Sequence, residues 1–118
     1  MTKFSANLGF LWSDRPLMDA IHAAHAAGFE TVECHWPYEY DATEVKAVLD
    51  ATGLTMLGLN TVRGNLADNE NGLAALPGRE DEARAGIDQA LRYAAAINTP
   101  NIHVMAGFAE GSAAEDCF

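Results

Sequence analysis

The sequence predicts a parallel α/β fold in which 118 residues supply about four βα units. Short β-rich runs alternate with helix-like runs, the pattern of parallel βαβ units. Gly28 and Gly53 sit where the first two helical runs should stop, and glycine favours the left-handed turn that ends helices. On every strand one parity is aliphatic and the other carries polar groups toward the C-terminal end. Parallel sheets and barrels place ligand sites at that end. Four strands with three complete helices amount to half of an eight-stranded (β/α)8 barrel.

Residues 3–11 read as the first strand, with Phe4, Ala6 and Leu8 on one face and Ser5, Asn7 and Gly9 on the other. Residues 12–15 make a turn. Ser13 or Asp14 can cap the helix that follows, and Pro16 suits its first turn. Leu17, Ile21 and Ala24 give that helix its apolar spacing up to about Ala27. His22 and His25 lie on it three residues apart, without a third metal ligand nearby, and read as a solvated face.

The second strand, residues 29–37, is the most informative stretch. Side chains alternate along a strand. Val32, Cys34 and Trp36 therefore point one way, and Thr31, Glu33 and His35 the other. An acid and an imidazole on one face are costly in a dry core. They suit either a polar pocket or an ordinary wet sheet face. Asp41 with Glu44 then forms a capping box for a helix carrying Val45, Val48 and Leu49.

Residues 54–60 are the third strand, with Leu57 and Leu59 on one side and Met56, Gly58 and Asn60 on the other. The segment 61–78 is rich in Asn, Asp and Gly and lacks periodicity. A loop this long in a compact domain is functional or disordered. Arg63 and Arg79 stand at its ends. A long helix follows over 79–97, with Ala83, Ile87, Ala90, Leu91 and Ala94 expected inside and the pairs Glu80–Arg84 and Asp88–Arg92 expected outside. The fourth strand, 101–107, directs Ile102 and Val104 one way and Asn101, His103 and Met105 the other. Ser112 to Glu115 is a further capping box, with barely one turn after it before Phe118. The chain is expected to be one domain, 1–118, of a longer barrel. Its unpaired edge should invite self-association into a homo-oligomer.

Composition narrows the partners. Seven Lys and Arg against 17 Asp and Glu give a formal charge of −10, which argues against nucleic acid and anionic membranes. One local arginine can still hold a small anion. Cys34 and Cys117 follow no disulfide or metal spacing, so a reduced, cytoplasmic protein is expected. No signal peptide begins the chain, and no run approaches the roughly 20 apolar residues of a membrane span. A flavodoxin-like domain is disfavoured, because no phosphate-binding loop follows the first strand.

Residues 4–8 (Phe-Ser-Ala-Asn-Leu), 28–33 (Gly-Phe-Glu-Thr-Val-Glu), 36–41 (Trp-Pro-Tyr-Glu-Tyr-Asp), 72–80 (Gly-Leu-Ala-Ala-Leu-Pro-Gly-Arg-Glu) and 103–107 (His-Val-Met-Ala-Gly) carry a resemblance. In them the chain resembles the hydroxypyruvate isomerase family of xylose-isomerase-like TIM barrels. The resemblance spans nearly the whole chain but only the first half of a barrel of roughly 250 residues. The resemblance implies interconversion of hydroxypyruvate and 2-hydroxy-3-oxopropanoate through an enediolate, in glyoxylate and carbohydrate metabolism. A sugar acid such as a 2-oxo-tetronate is the alternative substrate, and a non-catalytic half barrel that only binds or dimerises the alternative role. In the family the acid/base glutamates and the ligands of a divalent ion, Mg²⁺ or Mn²⁺, come from strands five to eight. No catalytic or metal-binding residue is therefore assigned here.

What remains is the lining for a small keto or hydroxy acid. Arg63 can pair with a carboxylate or be a solvated loop residue. His103 can hydrogen-bond a substrate oxygen or be a satisfied structural histidine. Glu33 can orient His35 or a substrate hydroxyl, or sit in a buried ion pair. Asn7 and Asn60 are candidate donors. Trp36, Tyr38 and Tyr40 can wall the pocket or seal the barrel rim. Arg79 opposes the helix dipole, which suggests a role beyond starting the helix.

Overall fold

The computed structural model describes residues 2–68, 70–108 and 111. The elements are β1 (Ser5–Asn7), α1 (Leu17–Ala26), β2 (Thr31–Glu33), α2 (Ala42–Thr52), β3 (Thr55–Asn60), a 3-10 turn (Leu66–Asp68), α3 (Glu80–Ala96) and β4 (Asn101–His103). The four strands form one parallel sheet in the order β1-β2-β3-β4. This is the first four-unit arc of a (β/α)8 barrel.

The strands are shorter than expected, and the first has a local cause. The Asn7 side chain accepts the Gly9 N–H at 2.9 Å, and its carbonyl accepts those of Phe10 and Leu11. An Asn side chain folded back in this way turns the chain. Phe4 is exposed instead of sharing the face of Ala6 and Leu8. In β2 the ladder runs past Glu33, because Cys34 N donates to Gly58 O and Asn60 N to His35 O. Trp36 leaves that ladder: its Nε1 donates to Thr61 O at 2.9 Å, so it does not join Val32 and Cys34 in the core.

A bulge corrects the parity of β3. Val32 pairs with Met56 but Glu33 pairs with Gly58, so Leu57 is the extra residue. A bulge of this kind reverses which residues face inward beyond it. Met56 and Leu59, three apart, are consequently both in the core at 0% and 1% exposure. Leu57 is half-buried. The expected pairing of Leu57 with Leu59, and of Met56 with Asn60, does not occur.

The core lies between the sheet and the helices, where Ile21, Val32, Val45, Met56 and Leu59 are fully enclosed. Helix α1 buries Leu17, Ala20, Ile21 and Ala24, but neither Ser13 nor Asp14 caps it; Pro16 holds the N-cap position without a side-chain bond. Helix α2 is capped by Asp41, which accepts the Thr43 N–H at 2.7 Å, but among the described residues Glu44 makes no reciprocal bond, so the expected capping box is not closed; Gly53 ends the helix at φ +72°. Helix α3 buries Gly86, Ala90 and Ala94. A β-carbon on Gly86 would meet Val62 at 3.0 Å, so this small-residue ridge lets the helix approach closely. Leu91, expected inside, is 53% exposed. Asp88 and Arg92 do not close to ion-pair distance among the described residues.

Segment 61–78 is more ordered than its composition suggested. Leu73 and Ala75 are buried, and Leu73 N and Ala75 N donate to Met105 O and Ala106 O. Gly72 pairs with Ala106 in an antiparallel bridge. Its φ is +119°, and a β-carbon there would lie 2.4 Å from Met105 O, so only glycine fits. The capping box at Ser112–Glu115 and Cys117 lie outside the described residues. Among the described residues no helix is long and apolar enough to cross a membrane.

Candidate functional site

Strand register builds the site. Asn7 pairs with Glu33, Glu33 with Gly58, Gly58 with Asn101, and one pleat further Asn60 with His103. Residues in register share a face. Asn7, Glu33, His35, Asn60, Asn101 and His103 accordingly line one open cavity of about 520 Å³. Five of the six residues singled out in the sequence are thus brought together. Arg63 does not line this cavity. Its guanidinium carbon lies 3.6 Å from the Trp36 ring centroid, beside His35.

His35 is held by its neighbours' shapes. Its ring meets Phe10 and Trp36 edge-on, each at 5.1 Å between centroids. A β-carbon on Gly9 would fall 2.2 Å from its Cε1, so the missing side chain of Gly9 is what admits the imidazole. Burial lowers the His35 pKa, and the charges of Arg63 and His103 lower it further, while Glu33 pulls it up. The imidazole is therefore kept neutral at neutral pH, able to accept as well as donate.

Among the described residues Glu33, His35, Asn60 and His103 make no side-chain hydrogen bond. Among the described residues Glu33 makes no hydrogen bond to His35 and no ion pair; it acts on His35 through its charge. His103 is exposed, not a satisfied interior histidine. The Nε of Arg63 is buried and has no hydrogen-bond partner among the described residues. A buried guanidinium N–H without an acceptor is costly unless a ligand or water supplies one.

The aromatic residues seal the rim. Trp36 donates to Thr61 O, the Tyr38 hydroxyl to Asn60 O, and the Tyr93 hydroxyl to Tyr40 O at 3.0 Å. Burial raises the Tyr38 hydroxyl to about 12 and raises Tyr93 too, so both remain protonated donors. Thr61 ties β3 to β4: its N donates to His103 O and its Oγ1 accepts from Met105 N at 2.9 Å. Gly9, Phe10 and Thr61 were not singled out in the sequence. Only the fold reveals Gly9 and Phe10 against His35, because 25 residues or more separate them.

The described residues do not fit a divalent-ion site: no three His, Cys, Asp or Glu cluster to hold one. Cys34 is packed under the helices, and burial pushes its thiol to about 12, which rules it out as a nucleophile at neutral pH.

The profile of the xylose isomerase-like TIM barrel family matches residues 21–118. The chain belongs to this family. It is 44% identical over 117 residues to a 2-oxo-tetronate isomerase of Haemophilus influenzae, covering 98% of this chain and 45% of that protein. It is 38% identical over 107 residues to the hydroxypyruvate isomerase of Escherichia coli K12, covering 91% and 42%. The crystal structure titled AP endonuclease, family 2, from Brucella melitensis superimposes with a TM-score of 0.93 at 37% identity, covering 100% of this chain and 47% of that one. The chain thus spans less than half the length of the curated relatives it matches. Relatives at 38–44% identity are isomerases, and the four strands described here are the arc of the family barrel that presents Asn7, Glu33, Asn60 and His103.

Proposed function

We propose that this chain forms the substrate-holding side of an isomerase of small 2-oxo acids, with hydroxypyruvate as substrate and 2-hydroxy-3-oxopropanoate as product. The single observation that carries the reading is Arg63, stacked on Trp36 with a buried, unpartnered Nε, next to a polar cavity. A guanidinium fork matches a carboxylate. With the carboxylate held there, His35, Asn60 and His103 supply hydrogen bonds to the carbonyl and hydroxyl oxygens.

The reaction removes a proton from C3, places the electron pair in a C2–C3 double bond as the C2 oxygen gains charge, and returns a proton to C2. The C3 hydroxyl gives up its proton as its oxygen becomes the aldehyde, and the C2 oxygen takes up a proton to become the hydroxyl. Donors aimed at the C2 oxygen stabilise the enediolate more than the ketone. No base for the C3 proton is assigned in this chain, and no step is routed through a metal ion. A divalent ion, Mg²⁺ or Mn²⁺, belongs to the proposal for the family's whole barrel.

A longer four-carbon substrate, a 2-oxo-tetronate, is the second reading, favoured by the relative at 44% identity. Both substrates present the same 2-oxo carboxylate head, which is the part Arg63 would hold. A nucleic-acid substrate is disfavoured by the formal charge of −10. Titration with hydroxypyruvate and with dihydroxyacetone, its neutral counterpart, tests the carboxylate reading. Hydroxypyruvate should bind more tightly, and Arg63→Ala should remove the preference. Equal binding of the two compounds by the unaltered chain would overturn it. Competition by a 2-oxo-tetronate then ranks the two substrates.

A further inference from the structure

Arg79 belongs to no part of the cavity, yet among the described residues it makes a dense set of polar contacts. Both its terminal nitrogens reach the Glu70 carboxylate, Nη2 at 3.1 Å to Oε1. Its Nε and Nη2 also hold Glu82 Oε1 and Oε2 at 2.8 and 2.7 Å. Two carboxylates thus grip one planar guanidinium, a geometry a lysine cannot reproduce. Glu82 sits on α3, so Glu70 is tied through Arg79 to a rigid helix.

Glu70 passes that fixation on to Arg63. Its Oε1 accepts the Asn65 N–H at 2.6 Å. It lies directly against Gly64: a β-carbon there would be 2.7 Å from Glu70 Oε1 and 2.8 Å from Leu73 Cδ2, at φ +94°. On the other side of the turn, Gly72 N donates to Arg63 O at 2.7 Å. The backbone of residues 63–65 is therefore clamped from both ends. Arg63, whose side chain stacks on Trp36, is the residue where the clamp begins.

We infer that Glu70 and Arg79 are positioning residues that hold the loop so that the Arg63 guanidinium stays over Trp36 and presents its free N–H groups to an anionic substrate. Neither touches substrate. The inference rests on the carboxylate reading of Arg63 for its functional consequence, but the placement of Arg63 over Trp36 is testable without it. The supporting shell of a binding group sets its affinity because a group held loosely loses orientation.

The test uses the full chain with Trp12→Phe, which leaves Trp36 as the single tryptophan of the two present. Acrylamide quenching of Trp36 reads the cation stack, and titration with hydroxypyruvate reads binding. Glu70→Gln and Arg79→Gln should each increase quenching and weaken hydroxypyruvate by roughly tenfold, the lower end of the cost of losing an orienting partner. Arg79→Lys should recover only part of both, since it keeps the charge but not the fork. It is also read in place of Arg79→Gln should that variant not fold. Unchanged quenching and affinity in Glu70→Gln and the Arg79 variant would overturn the inference. Loss of the carboxylate reading looks different: Arg63→Ala would then leave hydroxypyruvate binding unchanged, while Trp36 quenching would still decide whether Glu70 and Arg79 hold the stack.

Discussion

The Arg63 guanidinium carbon sits 3.6 Å from the centre of the Trp36 ring, and the neighbouring ring, His35, feels its charge. The stack contributes about 0.5–2 kcal/mol, rising as water is excluded. The charge of Arg63 also adds to the lowering of the His35 pKa, for which burial is the larger cause. Removing the positive charge in Arg63→Ala should move the His35 pKa up toward its ordinary 6.5, and removing the negative charge in Glu33→Gln should move it further down. A histidine titration followed by NMR checks both directions. Burial remains in both variants, so neither should return His35 fully to 6.5.

The same lowering fixes the sign of a stability effect. His35 binds its proton less readily folded than unfolded. Between the two pKa values the unfolded chain carries more protons, so stability rises with pH in that window. The contribution is complete above about 6.5 and is lost as pH falls through the folded value. Urea unfolding of the chain and of His35→Gln across pH 5 to 7.5 should show a shallower pH dependence in the variant. Parallel curves would contradict it.

The bulge at Leu57 makes opposite claims for adjacent residues. Met56 is wholly enclosed, and Leu57 lines the open cavity. Met56→Ala should cost about 2–5 kcal/mol, the usual range for a buried methionine. Leu57→Ala should cost well under that. An unbulged strand would reverse the order, so chemical unfolding of the two variants decides between the two registers.

These comparisons show what a sequence can and cannot carry. Polar parity on β1, β2 and β4 was legible because alternation is a property of one strand at a time. It placed Asn7, Glu33, His35 and His103 on one side, and these residues line one cavity together with Asn60, on the strand whose parity the bulge shifts. The bulge was not legible, because it exists only in the pairing of Val32 and Glu33 with Met56 and Gly58. Leu91 was misplaced because helical spacing alone cannot tell that the close-packed ridge is Gly86, Ala90 and Ala94. The loop 61–78 looked structureless since its order comes from the Met105 and Ala106 carbonyls just past β4 and from an Arg79–Glu70 contact nine residues apart. Arg79's awkward position against the helix dipole was the one hint, and its two carboxylate partners explain it.

Gly72 should be intolerant of any side chain. Its positive φ strains L-residues, and its missing β-carbon leaves the room that Met105 O and Gly107 N occupy at 2.4 and 2.7 Å. Gly72→Ala should therefore destabilise by more than the roughly 1–2 kcal/mol that a left-handed backbone alone costs an L-residue, whereas at an unstrained, open site the same change stabilises by roughly 0.4–1 kcal/mol. Gly53, also at positive φ but with open space around it, provides the comparison. A larger loss of thermal midpoint for Gly72→Ala than for Gly53→Ala is the expected outcome.

Cys34 offers a direct test of the core. Its thiol is 5% exposed and is pushed to about 12, far above the ordinary 9.0. Only the thiolate alkylates at a useful rate, and burial denies the reagent access as well. In a Cys117→Ser background, iodoacetamide at pH 8 should leave Cys34 unmodified in the native chain and label it fully in urea. The rate at intermediate urea should follow the unfolded fraction, because opening must precede reaction. Labelling of the native chain as fast as that of the unfolded chain would mean that Cys34 does not lie beneath α1 and α2, and the strand parity that places Glu33 and His35 in the cavity would fall with it.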